Sequence, residues 1–216
     1  PLNHQESLDT DGDGTGNNSD DDDDGDGVLD IYDADPLDAS IGEYPDTDSD
    51  GVYDINDIDD DNNGLIEVST LSDLNEIRHN LLGSSFYDTS TGCPMSGCNG
   101  FELTRNLDFD TNQDGQINSE DRYWNSGEGW LPIGDDTENF SAIFEGNGYV
   151  ISNLFINRPN DNYIGLFGMA QNSEFRNFGL GGSLMSVIGG SAVGGIVGGT
   201  ENNGGNILIT NTPLDV

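Results

Sequence analysis

The chain has 216 residues, room for one or two domains, and carries 42 Asp and Glu against 5 basic residues, a formal net charge of -37. That charge excludes nucleic-acid backbones and anionic membranes as partners. All the basic residues are arginines (Arg78, Arg105, Arg122, Arg158 and Arg176), so Schiff-base, P-loop and Lys–Asn isopeptide chemistry, which need a lysine amine, are excluded too. No apolar run reaches the roughly 18 residues of a membrane span, so no membrane insertion is expected. The start, Pro1-Leu-Asn-His-Gln-Glu6, lacks the charged and apolar regions of a signal peptide, as expected of a mature or trimmed form.

Residues 1–67 hold 24 of the 42 acids and neither Lys nor Arg. Their apolar content is too sparse to offset the entropy of ordering by burial. Two carboxylates about 4 Å apart repel by roughly 4 kcal/mol at an effective dielectric near 20, so this half needs cations to be compact. Its acids are not random. Four segments place Asp or Asn at positions one, three and five and Gly at six: Asp9/Asp11/Asp13/Gly14, Asp22/Asp24/Asp26/Gly27, Asp46/Asp48/Asp50/Gly51 and Asp59/Asp61/Asn63/Gly64. Three side-chain oxygens then surround a point, the glycine allows the sharp turn, and a carbonyl at position seven joins them in a hard-cation cage. Those carbonyls belong to Thr15, Val28, Val52 and Leu65. Position twelve is Asp20, Asp33 and Asp57 in the first three loops, and position nine is Asp30 in the second and Asp54 in the third. The fourth has Thr70 at twelve, so Glu67 at nine is expected to serve instead.

The loops start at 9, 22, 46 and 59, an internal repeat with alternating short and long spacing. Over residues 9–70 this resembles the thrombospondin type-3 repeats, in the cysteine-free bacterial form. The resemblance implies several Ca2+ ions at the core of a wrapped chain with little regular secondary structure.

Ser69 to Gly83 predicts an amphipathic helix near 70–82, with Leu71, Leu74, Ile77 or Arg78, and Leu81 on one face. A Thr70/Asp73 capping box starts it and Gly83 stops it. His79 is expected to be a surface or packing residue, and His4 to sit at a frayed end. Cys93 and Cys98 have no second Cys/His pair nearby to complete a zinc site, so a short-loop disulfide in an oxidising compartment is expected. A fifth loop, 110–121, offers Asp110, Asn112, Asp114, the Gln116 carbonyl, Asn118 and Asp121. It resembles the calcium loop of dockerin modules; a full dockerin needs two such loops, so a single calcium staple inserted in a larger domain is the expectation here.

From residue 140 short apolar strands recur: 142–144, 149–156, 163–167, 175–180, 191–197 and 206–210. Glycine and asparagine punctuate them. Regular short strands fit a β-solenoid in which each rung buries its apolar face on the next, with Phe144, Phe155, Phe167, Phe175 and Phe178 inside and roughly three coils. Gly146-Asn-Gly-Tyr-Val-Ile-Ser-Asn153-Leu154 and Tyr163-Ile-Gly-Leu-Phe-Gly168 resemble the bacterial GLUG motif, which implies a parallel β-solenoid in secreted or surface proteins. The expected organisation is a calcium-binding segment, 1–67, and a solenoid domain, 68–216, with helical lead-in, disulfide loop and inserted calcium loop; the fold class is mainly β.

Gly146-Asn-Gly lacks the strand–helix context of a phosphate cradle. Trp124, Trp130 and Tyr123 could stack on sugars, but core filling is the simpler reading. A polysaccharide lyase would want a base beside bound calcium, and with no lysine and the acids committed to cages no enzyme is expected. The expected function is a secreted, calcium-stabilised structural or adhesive surface protein. Self-association into a homo-oligomer or filament is its expected partnership. The alternative is a calcium-dependent module that binds cell-surface or matrix glycans.

Overall fold

The computed structural model describes residues 8–200 and 207–210. His4 and Asn206, the first residue of the last expected strand, lie outside the described residues. Residues 8–64 contain no strand or helix and run as successive turns and bends. The first strand, β1 (Ile66–Val68), begins inside the fourth acidic loop and is already the first rung of a parallel β-solenoid. The expected boundary at 67/68 thus falls within β1.

The remaining strands are β2 (Gly100–Leu103), β3 (Leu107–Asp108), β4 (Ile143–Glu145), β5 (Val150–Ser152), β6 (Phe155–Ile164), β7 (Phe167–Ala170), β8 (Ser173–Arg176), β9 (Gly179–Gly181), β10 (Ser186–Val193), β11 (Val197–Thr200) and β12 (Ile207–Thr210). One face of the solenoid is the five-stranded sheet β1-β2-β4-β8-β12, a second is β3-β5-β9, and the remaining strands form the two-stranded sheets β6/β10 and β7/β11. Each of these strand pairings is parallel. The coil makes about four turns, more than the three read from the strands after residue 140. The earlier turns are harder to see because other structure replaces some of their strands. A helix fills the first, and in the second the 110–121 loop is inserted before Ile133 and Phe140 bridge to Phe167 and Ala170.

Aromatic stacking fills the interior. Register places Ile66, Phe101, Phe144, Phe175 and Ile209 in one column. The Phe140 ring lies 4.6 Å from that of Phe167 and 5.4 Å from that of Phe175, and Phe144 meets Phe167 and Phe178 edge-on, each at 5.2 Å. Asparagines turn the corners in the left-handed conformation, among them Asn147, Asn153, Asn172 and Asn177. Asn is the non-glycine residue that visits this region most readily. For this reason the expected 149–156 and 175–180 segments are each two strands, divided at Asn153 and Asn177.

The helix is shorter than expected. α1 spans Leu71–Glu76 and passes into a single 3-10 turn, Ile77–His79. Its start is as read: Thr70 Oγ1 accepts from the Asp73 N–H, and Asp73 accepts in return from the Thr70 N–H. The chain leaves the helix at Asn80, ahead of Gly83, where the Asn80 side chain takes over the local hydrogen bonding through Ser84 and Ser85. Leu71, Leu74 and Ile77 are buried against the solenoid. Cys93 and Cys98 are joined as a disulfide, their Cα atoms 5.3 Å apart. Among the described residues no helix is long and apolar enough to cross a membrane.

Candidate metal centre

Each acidic loop closes on itself by the same hydrogen bonds. The position-five oxygen accepts from the position-seven N–H in all five: Thr15 to Asp13, Val28 to Asp26 and Val52 to Asp50 at 2.7 Å, Leu65 to Asn63 at 2.8 Å and Gln116 to Asp114 at 2.9 Å. Position three accepts from position five, as Asp13 to Asp11 at 3.0 Å and Asp50 to Asp48 at 2.9 Å. The glycine at six has a positive φ every time, from 80° at Gly115 to 101° at Gly27. It donates to the first acid in four loops, as Gly64 does to Asp59 at 2.8 Å. The backbone thereby uses one oxygen of Asp24, Asp46 and Asp48 and leaves the other without a donor, whereas Asp22 and Asp59 accept through both of theirs.

In four loops the acids converge. Asp9/Asp11/Asp13, Asp22/Asp24/Asp26, Asp46/Asp48/Asp50 and Asp59/Asp61/Glu67 each bring one oxygen per residue within 4.8 Å of one another, and each group could hold a metal ion. Asp24 is 8% exposed and Asp59 fully buried. Asp24 Oδ2, Asp46 Oδ1, Asp48 Oδ2 and Glu67 Oε2 are buried with no hydrogen-bond partner. A buried carboxylate oxygen without a donor costs desolvation that nothing repays, whereas a cation at the centre of the group supplies the partner. The residues fit an oxygen-ligated hard cation such as Ca2+.

Glu67, not Thr70, joins the fourth group, because the Thr70 hydroxyl caps α1. Burial, reinforced by nearby Asp60, pushes the Glu67 carboxyl up to about 9. Burial likewise raises Asp59 and Asp60 to about 6, and moves Asp24 and Asp57 upward.

Other acids of the loops accept backbone hydrogen bonds. Asp30 and Asp54, at position nine, accept from the N–H of position two, Asp23 at 2.9 Å and Thr47 at 2.8 Å. Asn17 does the same for Thr10 at 3.1 Å in the first loop. It was legible as the occupant of the slot that Asp30 and Asp54 fill, but as a neutral residue it escaped the count of acids. Asp20, Asp33 and Asp57, at position twelve, each accept from the N–H two residues on and so start the following turn. None of these five acids belongs to the converging groups.

The fifth loop has the same turn, yet Asp110, Asp114 and Asp121 do not gather as the other acids do. Asp121 is occupied: Oδ1 accepts from the Thr111 N–H and hydroxyl, and Oδ2 from the Asn118 N–H at 2.9 Å. Asn118 donates to Asp114 at 3.2 Å. The loop is held by its own hydrogen bonds.

Both tryptophans pack within the solenoid half. Trp130 is fully buried, its indole N–H donating to the Leu166 carbonyl at 3.0 Å, and Trp124 stacks on Phe155 at 5.3 Å.

The chain is 34% identical, over 150 residues, to a protein of Evansella cellulosilytica described as a Gly-rich membrane protein; the match covers 69% of this chain and 14% of that one. It is 35% identical over 98 residues to Halomucin of Haloquadratum walsbyi, covering 41% of this chain and 1% of that protein. The chain thus spans a small part of the length of the relatives it matches. No family model matches it, and no solved structure does.

Proposed function

We propose that this chain is a calcium-stabilised structural or adhesive module of an extracellular protein. In this reading residues 9–70 are thrombospondin type-3-like repeats and the strands that follow are a GLUG-type solenoid. The observation that carries it is the buried Asp24 oxygen, left without a donor at the centre of three converging carboxylates. Extracellular calcium and the Cys93–Cys98 disulfide suit the same compartment. The named relatives, each far longer than this chain, support its reading as one segment of a large protein.

A second copy of the chain is the partner we favour. In the described residues Leu208 and Ile209 of β12 and Ile188 and Val193 of β10 are exposed, and exposed strands are templates for strand addition. Sedimentation and electron microscopy of the purified chain with calcium should show regular multimers, and substitution of Leu208 and Ile209 by lysine should dissolve them. A chain that stays monomeric at all concentrations overturns self-association. Turnover of acidic polysaccharides by the pure protein overturns the structural reading.

A further inference from the structure

Glu67, Glu102 and Glu145 stand in one column of the solenoid, since parallel register sets Glu67 opposite Glu102 and Glu102 opposite Glu145. Like charges directly opposite each other destabilise a strand pair, so each needs a compensating partner. Glu145 has Arg176, whose Nε donates to it at 2.6 Å. Glu102, 5% exposed, has two amides: Asn63 Nδ2 donates to its Oε1 at 3.1 Å and Asn147 Nδ2 to its Oε2 at 2.7 Å. Glu67 Oε2 has none.

Asn63 is position five of the fourth acidic loop, the slot that holds Asp13, Asp26 and Asp50 in the first three. A carboxylate in its place would point a second negative charge at buried Glu102. Asparagine presents a donor there and keeps an oxygen for the loop.

We propose that Glu102 is a positioning residue of the fourth cation site: with Asp61 of the cage it shares the Asn63 Nδ2 donor, at 3.1 and 3.0 Å, and so fixes the amide while its Oδ1 accepts from the Leu65 N–H. A cation bound by Asp59, Asp61 and Glu67 is thereby coupled to the second rung of the solenoid and neutralises the end of the glutamate column opposite Arg176. The proposal rests on the reading that the fourth loop holds a cation. It also reverses the usual expectation for this slot, in which a carboxylate in place of an amide strengthens the cage.

The test is a swap of polarity. Calcium bound per chain is counted by equilibrium dialysis, and the calcium concentration that half-stabilises the solenoid is read from tryptophan emission during thermal unfolding. Trp124 and Trp130 lie outside the acidic repeats, so this signal reports the solenoid. Asn63→Asp and Glu102→Gln should each raise that midpoint about tenfold, as loss of an outer-shell partner does. The double variant should recover most of the loss, because its new amide can donate to its new carboxylate while still accepting from Asn147. If Glu102→Gln fails to fold, the direction of the Asn63→Asp effect decides. Tighter calcium binding with no loss in the tryptophan signal overturns the proposal, as does a double variant no better than the poorer single. An unchanged ion count in Asp59→Asn removes the fourth cation and this proposal with it; a count that falls while the swap fails to rescue overturns the coupling alone.

Discussion

Removing calcium should unfold the acidic half selectively. In the fourth cage alone, the Asp59 and Glu67 carboxylates lie within 4.8 Å, a repulsion of about 3 kcal/mol when both are ionised at an effective dielectric near 20. A cation present at about a hundred times its dissociation constant stabilises the folded chain by about 2.7 kcal/mol per site, so four cages contribute about 11 kcal/mol. That is comparable to the whole stability of an ordinary domain, about 5–15 kcal/mol. Residues 8–64 have no strand or helix with which to replace it. Treatment with a chelator should therefore increase the hydrodynamic radius and open this segment to limited proteolysis, while much of β4 to β11 stays resistant. Peptide mapping of the cleavage sites by mass spectrometry gives the position, and size-exclusion chromatography the expansion. Calcium should reverse both changes, and sodium chloride at about 1 M should not: its Debye length near 3 Å screens charges across the surface, but it supplies no ligand-bound ion at buried Asp24 and Asp59. If radius and cleavage pattern are the same with and without calcium, or if salt alone restores the compact form, the cages do not hold structural ions.

Three further outcomes are expected. Phe144→Ala removes a fully buried ring between Phe101 and Phe175 and should cost about 3–5 kcal/mol in urea melts followed by tryptophan emission, with little change in the number of calcium ions bound. Gly92→Ala forces a left-handed φ of 89° on alanine and drives its Cβ into the Asp57 carboxylate; it should lose more than the ~1–2 kcal/mol of the φ strain alone and shift Asp57, whereas Gly97→Ala, at φ 80° with open space around it, should lose only the strain. In the fraction of ion-free protein that stays folded around Glu67, burial and Asp60 hold its carboxyl near 9 against an ordinary 4.5, so the folded state keeps a proton that the unfolded chain releases. That contribution is full below about pH 4.5 and is lost as pH rises through 9, so ion-free melts should weaken steadily over that window. Calorimetry in buffers of different ionisation enthalpy should show protons released as calcium binds at pH 7.

The acidic loops were legible because their chemistry is local. Six consecutive residues carry the turn, the glycine and three of the ligand oxygens, and the same hydrogen bonds recur in all five. What distinguishes the loops from one another is set at a distance. Asp121 has the spacing of a ligand, but it does not gather with Asp110 and Asp114, and both its oxygens accept within its own loop; Thr70 has the spacing too, but its hydroxyl caps a helix. Similarly, the later rungs of the solenoid were visible as strand after strand with aromatic residues at matching places. The first two were hidden, because a helix and the 110–121 insertion stand where strands would have been. Nothing in the sequence around Glu102 shows that it faces Asn63, thirty-nine positions away, since only the parallel register of β1 on β2 brings them together.

The arginines show why the acidic half depends on an outside charge. Arg176 is paired with Glu145 and Glu174. Arg158 is buried, with Glu128 and Asp161 against it and the Trp130 carbonyl accepting from its Nε. Arg78 lies over the Trp130 ring and donates to the Leu131 and Pro132 carbonyls, and Arg122 lies over Tyr123. Each of these four is engaged within the solenoid half. No Lys or Arg occurs before Arg78, so the carboxylates of the four cages have none in their own half to face. Single Lys or Arg side chains would compensate one acid at a time on long, entropically costly arms, whereas one divalent ion meets three carboxylates at once. A segment made this way should be rigid where the ion is supplied and expanded where it is not. The strand that leaves its last cage is already β1, so an ion held in the fourth loop would also fix the first rung on which the solenoid stacks.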